Sequence, residues 1–142
     1  MGIKQISLWL PNEPGKLCDI SEKLGRDGVN IRALSVGEHG DRCRMRFICD
    51  DPTKAMNILR THNFQFEVLD VLAIETIDHP GGLNSFLKPL KEAEVNVHYL
   101  YPFIGRIGDN AILILGVSDL EKATTVLRQN YLNLLGEELY SL

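Results

Sequence analysis

The stretch "NEPGKL", residues 12–17, stands between a strand-like run, "KQISLWLP" (4–11), and a helix-like run, "KLCDISEKLGRDG" (16–28). "DHPGGL", residues 78–83, occupies a similar setting, with Pro80 falling 66 positions after Pro14. At the same offset Leu17 falls on Leu83, Leu24 on Leu90, and "VNI" (29–31) on "VNV" (95–97). After a two-residue insertion the offset becomes 68. Then Gly40-Asp41 falls on Gly108-Asp109, Asp51 on Asp119, Lys54-Ala55 on Lys122-Ala123, and Leu59-Arg60 on Leu127-Arg128. Ordered matches along the whole chain mark an internal repeat. The expected modules are residues 1–70 and 71–142.

Each copy carries the same pattern of periods. Ile6, Leu8 and Leu10 alternate as in a half-buried strand. Leu17, Ile20 and Leu24 then recur at helical spacing, as do Leu83, Phe86, Leu87 and Leu90. Gly28 stands where a left-handed C-terminal residue would stop the first helix. A strand from Asn30 turns at "EHGD" (38–41) into "RCRMRFIC" (42–49). "DDPTKA" (50–55) opens a second helix with an Asp cap and Pro in the first turn. A last strand starts near Gln65. The order βαββαβ predicts an α+β fold: two ferredoxin-like modules, each an antiparallel sheet with helices on one face. No Gly or Pro interrupts "FQFEVLDVLAIETI" (64–77), so a shared or continuous strand is expected to join the copies. A compact two-module body is expected, not separate beads.

The two third strands differ. Cys43, Met45, Phe47 and Cys49 face one way and Arg42, Arg44 and Arg46 the other, whereas copy two has Asn110, Ile112 and Ile114 in place of the arginines. A strand apolar on both faces is normally covered on both, so copy two is expected to pack against copy one or a second chain. The arginine stripe has two readings: an anion site, or a solvated face paired with Glu67, Asp70 or Glu75. The second is expected. Trp9 belongs to that face, where it can stack on an arginine.

Composition narrows the function. The chain has 142 residues, 44% of them hydrophobic, and a formal charge of −4. No basic block points to nucleic acid. The aromatic pair expected of an RNA-binding sheet is not evident. Apolar runs such as "AILIL" (111–115) are too short to span a bilayer. The N-terminus lacks the apolar core of a signal peptide, and Ile6 breaks a myristoylation pattern. Cys18, Cys43 and Cys49 have no C-x-x-C spacing and are expected to be reduced, mostly buried thiols of a cytoplasmic protein. His39, His62, His79 and His98 are scattered and read as structural. With no nucleophile–base pair, H-x-x-x-H motif or phosphate loop, no catalytic residue, metal or cofactor is expected.

The Pro-Gly junction has its own chemistry. Asn12 is a capping residue, Pro14 fixes φ near the helix start, and Gly15 admits close approach to the backbone. The first helical turn has unpaired N–H groups and partial positive charge, which suit a carboxylate. The plainer reading is a tight turn with Asn12 as the helix cap. Asn30 and Asn96 offer both donors and an acceptor, and they are expected to face a ligand across a module interface.

"NEPGKL…DGVNIRALSVGE" resembles the start of an ACT domain, a small-molecule sensing module of amino-acid metabolism. "DHPGGL…EVNVHYLYPF" resembles a second, and together the resemblances span residues 3 to about 140. They imply allosteric binding of an amino acid at an interface between modules. In serine-sensing ACT domains, the Asn before x-Pro-Gly and the Asn opening strand two hold the ligand. By position these are Asn12 and Asn30 here, and Asn96 in copy two. Glu13, Pro14, Gly15, Leu17 and Ile31, with Gly81, Gly82, Leu83 and Val97, complete the candidate set.

Copy two departs at Asp78, whose carboxylate favours a ligand ammonium, and adjacent His79 compensates when protonated. A serine-type histidine is replaced by Leu10 and Thr76, and this apolar pocket edge favours a branched-chain or aromatic amino acid. The implied partners are an amino acid, a second copy in a homodimer or higher homo-oligomer, and a regulated enzyme in trans. Nucleic acid and membrane are not expected partners. The first half is also similar to the regulatory subunit of acetolactate synthase, although that subunit's second half normally lacks a repeated Pro-Gly loop.

Overall fold

The structure is a computed structural model and describes residues 2–142. Its elements are β1 (Ile3–Pro11), α1 (Lys16–Arg26), β2 (Ile31–His39), β3 (Arg42–Cys49), α2 (Pro52–Thr61) and β4 (Glu67–Thr76). There follow α3 (Gly82–Glu92), β5 (Val97–Ile107), β6 (Asn110–Val117), α4 (Leu120–Gln129), β7 (Leu134–Leu135) and a 3₁₀ turn at Glu137–Ser141. The chain divides into two compact units. One is Lys4–Leu69, and the other is Asp70–Leu142 with the N-terminal residues through Ile3. The division falls inside β4, which is one uninterrupted strand.

The repeat is legible in the element boundaries. Helices α1 and α3 start and end 66 positions apart, while β3 and β6, like α2 and α4, are 68 apart. The two extra residues therefore fall in β5, which has 11 residues against 9 in β2. They distort it: the β5–β6 register is irregular between Pro102 and Arg106, and Gly105 within that stretch has φ 148°.

All pairings within the units are antiparallel. In the first, β3 pairs with β1 (Ile6 opposite Phe47, Leu10 opposite Cys43) and with β2 (Val36 opposite Met45). In the second, β6 pairs with β4 (Ile74 opposite Leu113) and β5, and β4 pairs with β7. Alternation sends Ile6, Leu8, Leu10, Met45 and Phe47 into one core with Ile20 and Leu24 of α1 and Ala55 and Leu59 of α2. Leu72, Ile74, Leu113 and Leu115 form the counterpart with Phe86, Leu90, Ala123 and Leu127. Each such fully buried aliphatic side chain contributes about 1.5–3 kcal/mol relative to an exposed one. The helix-face expectation fails only at the first turns: Leu17 is 41% and Leu83 52% exposed. Both precede the point where the helix settles on its sheet.

The helix ends show how the sequence sets the boundaries. Asp51 and Asp119 accept from the backbone N–H of Lys54 and Lys122 at 3.0 Å, capping α2 and α4. At the other end, all four helices close with the same pair of backbone hydrogen bonds. In α1, the Val29 N–H donates to Leu24 and the Gly28 N–H to Gly25. Phe64 and Asn63, Val95 and Glu94, and Leu132 and Tyr131 repeat this on α2, α3 and α4. The apolar residue beyond each helix then packs into its core, which is the hydrophobic contact that accompanies this closure. Gly28 takes the required positive φ without strain, whereas Asn63, Glu94 and Tyr131 adopt it at φ 59–61°.

The outward faces differ as the sequence predicts. Arg42 and Arg44 lie over the Trp9 ring at 4.3 and 4.8 Å from its centroid. Arg44 pairs with Glu67 at 3.7 Å, but Glu75 is not part of the stripe: Asn110 and Asn133 hold it at 2.6 and 2.8 Å. These two hydrogen bonds keep its carboxyl below the ordinary value. Ile112 and Ile114 are 1% and 0% exposed. Gly116 is required beneath Tyr99, because a Cβ there would lie 2.2 Å from the Tyr99 ring. Cys43 and Cys49 are buried and Cys18 is exposed, all as free thiols. Among the described residues, no helix is long and apolar enough to cross a membrane.

Candidate functional site

The first junction is built differently from a simple capped turn. Gly15, not Asn12, is the N-cap of α1, and it is left-handed at φ 88°. Pro14 precedes it and so lies outside the helix. The helix has no side-chain cap. Asn12 is occupied elsewhere: its Nδ2 donates to Glu38 Oε2 at 2.8 Å and to the Gly40 carbonyl at 3.0 Å. Its backbone N–H donates to Asp41 at 2.9 Å. The junction is thus latched to the tip of the β2–β3 hairpin. Both N–H donors of the amide are committed, and its Oδ1 remains to accept. Glu13 is exposed, and its backbone closes the turn to Pro11 and Lys16. A cleft of about 450 Å³ adjoins this loop, walled by Trp9, Asn12, Glu13 and Arg42.

The second junction repeats the latch with other chemistry. Gly81 is the left-handed N-cap of α3 at φ 90°, again with no side-chain cap. Asp78, the counterpart of Asn12, is ion-paired with Arg106, the counterpart of Glu38. Arg106 Nη2 also donates to the Asp109 carbonyl at 2.8 Å. An amide–carboxylate latch in one copy is therefore a carboxylate–guanidinium latch in the other. Asp78 meets a cation within its own chain, so His79 is not its compensating charge. The His79 ring nitrogen instead lies 3.1 Å from the Pro80 carbonyl.

The second cleft, also about 450 Å³, is lined by Thr76, Ile77, Asp78, His79, Leu83 and Leu113, among others. It opens on the helix side of its sheet, where Leu113 belongs to the core. The first cleft likewise includes a core residue, Leu10, beside Trp9 and Arg42. Gly82, on the second cleft, is buried for a packing reason: a Cβ would lie 2.2 Å from the Ile77 carbonyl oxygen. Thr76 Oγ1 and Ser85 Oγ both donate to the Gly82 carbonyl, at 3.1 and 2.6 Å.

The asparagines at the strand starts lie elsewhere. Asn30 is exposed, and its backbone N–H donates to Asp50 Oδ1 at 2.9 Å. Asn96 makes the corresponding bond to Ser118 Oγ at 2.9 Å. Asn30 precedes β2, while Glu38 and Gly40, the partners of Asn12, lie at its far end. At ~3.3 Å per residue the two ends are about 26 Å apart. Asn12 and Asn30 of one unit therefore cannot hold the same small ligand, and the same separation divides Asp78 from Asn96. Ile31 and Val97 pack partly against the two cores at that distant end.

Arg106, Glu38, Ile77 and Leu113 were not singled out from sequence. The repeat carried a signal for two of them: Asn12 becomes Asp78 while Glu38 becomes Arg106, a paired exchange at matching positions. Among the described residues, no group of three or more metal-ligating side chains assembles.

A model of the ACT domain pair matches residues 1–141. The chain is 31% identical to protein BT0572 from Bacteroides thetaiotaomicron, with a TM-score of 0.92 over 100% of this chain and 98% of that one. The ligand-free regulatory subunit of aspartate kinase from Thermus thermophilus shares the fold at 15% identity, with a TM-score of 0.65 over 92% and 94% of the two chains. The regulatory subunit of aspartate kinase from Thermus flavus does so at 15% identity, with a TM-score of 0.62 over the same shares. No curated protein matches the chain. A family match of this extent, over a repeat whose two junctions share one geometry, means that the chain belongs to the ACT domain pair family.

Proposed function

We propose that this chain is a regulatory protein of two ferredoxin-like modules, residues 1–70 and 71–142, that binds an amino acid with an apolar side chain at its Pro-Gly junctions. The observation that carries the reading is the paired latch. At the second junction Asp78 lines a cleft with apolar walls, Ile77, Leu83 and Leu113, and is ion-paired with the guanidinium of Arg106. Asp78 suits a ligand ammonium and Arg106 a ligand carboxylate. At the first junction, Asn12 Oδ1 accepts from an ammonium, while the uncapped start of α1 at Gly15 and Leu17 receives the carboxylate. The exposure of Leu17 and Leu83 leaves both free to touch an apolar side chain.

Because Asn12 and Asn30 lie at opposite ends of one unit, an Asn12-type and an Asn30-type residue reach one ligand only from different modules. That requirement supports binding across modules and assembly as a homo-oligomer. The regulatory role borne by the two Thermus subunits is carried to this chain as part of the proposal: the partner is an enzyme of amino-acid metabolism, controlled in trans in the cytoplasm. A ligand acts through its differential affinity for two states, typically about 1–3 kcal/mol of coupling.

The test is calorimetric titration with each common amino acid. An apolar amino acid is expected to bind saturably to the wild type and at least tenfold more weakly to Arg106→Gln or Asn12→Ala. Absence of binding by every amino acid removes the ligand claim.

A further inference from the structure

The cavity beside β1 in the first unit is a different kind of site. It measures about 540 Å³ and is bounded by Ser7–Pro11 on one side, Asn63–Glu67 on another, and Arg42 and Arg44. Ser7 is 1% exposed, and its Oγ has no hydrogen-bond partner among the described residues. Arg44 Nε is likewise buried and unpartnered. Two such donors on one cavity wall call for an acceptor, because buried polar groups in native proteins are nearly always satisfied.

The arginines are prepared to supply more. Both guanidinium groups lie over the Trp9 ring, 4.3 and 4.8 Å from its centroid, and both line the cavity. The one acidic residue on the lining, Glu67, stands 3.7 Å from Arg44. The lining is thus positive by one formal charge in a chain of net charge −4. Leu8, Leu10, Phe64 and Phe66 supply apolar wall beside the polar Asn63 and Gln65. The volume lies within the ~300–1,000 Å³ usual for organic ligands and far exceeds a bare oxyanion.

We propose that this cavity binds an organic carboxylate with an apolar body, held by Arg42, Arg44 and Ser7. The site stands apart from the amino-acid reading. Arg44 and Ser7 do not line the junction cleft, although the two cavities share Trp9, Leu10, Pro11 and Arg42.

Trp9 is the single tryptophan and reports on the site directly. Calorimetry and Trp9 emission are measured with 3-phenylpropanoate, its neutral amide and inorganic phosphate. The carboxylate is expected to bind saturably and shift the emission, with the amide and phosphate at least tenfold weaker. Arg44→Gln weakens carboxylate binding tenfold or more. Ser7→Ala weakens it several-fold while raising the melting temperature of the ligand-free protein, because it removes an unsatisfied hydroxyl. Should Arg44→Gln fail to fold by circular dichroism, Ser7→Ala decides. No saturable binding, equal binding of the amide, or unaltered affinity in the deciding variant overturns the proposal. Phosphate binding as tight as the carboxylate's overturns the organic class. Arg106→Gln is expected to leave 3-phenylpropanoate affinity unchanged. A parallel loss there overturns the separate cavity, whereas loss of amino-acid binding alone concerns only the junction.

Discussion

At the scale of single residues, the glycines of the two Pro-Gly loops carry different burdens. Gly15 and Gly81 hold φ near 90° in open surroundings, so a side chain there meets strain but no neighbour. Gly82 meets a backbone oxygen that cannot rotate away. Gly82→Ala is therefore expected to cost about 2–3 kcal/mol, toward the upper end of overpacking effects. Gly15→Ala is expected to cost roughly 1–2 kcal/mol, the usual penalty of a left-handed residue with a Cβ. Urea denaturation of both variants measures the difference, and equal costs would contradict the packing account. Gly82 belongs to the candidate ligand set that the sequence offers. The carbonyl of Ile77, five residues earlier, occupies the space beside it, and no spacing rule reveals which backbone atom a turn brings close.

At the scale of elements, four helices stop by one mechanism although only one of them has glycine at the decisive position. Glu94 and Tyr131 adopt the left-handed conformation against their intrinsic preference, and Tyr131 is 97% exposed, so nothing in its side-chain packing compensates. Glu94→Gly and Tyr131→Gly are each expected to stabilise the protein by about 0.5–1 kcal/mol, the relief of strain exceeding glycine's added entropy in the unfolded chain. The readout is a higher urea midpoint at unchanged slope. Gly28→Ala is expected to move the midpoint the other way. Element identity was readable because period two, period 3.6 and the Asp caps all act within a few residues. The left-handed stops were readable only at Gly28, since Glu94 and Tyr131 carry no local sign of a positive φ.

At the scale of the whole molecule, stability depends on groups that titrate only when the chain opens. Cys49 is 1% exposed in the first core, and burial, opposed by a hydrogen bond from the Asp51 backbone, pushes its thiol up from 9.0 to about 11. Between these values the native state keeps a proton that the unfolded chain loses. The stabilisation is complete below pH 9 and declines as pH rises toward about 11. Denaturation midpoints at pH 8, 9, 10 and 11 are expected to fall more steeply for the wild type than for Cys49→Ala. Parallel curves would show that the thiol is not protonated by burial.

The sequence by itself determined the repeat, the order of elements, the faces of the strands and the identity of the Pro-Gly junctions. Each rests on short-range periodicity or on a match between two copies of the same pattern. Tertiary structure alone decided what those junctions are made of. Asn12 meets Glu38 and Asp78 meets Arg106 across 26 and 28 residues of chain, where no periodicity connects them. It also sent Asn30 to the far end of its sheet, because a nine-residue strand carries its two ends apart however similar their motifs look. The position of a residue along a strand is written in the sequence, but what stands beside it is set by the register of strands that pair only after the chain has folded.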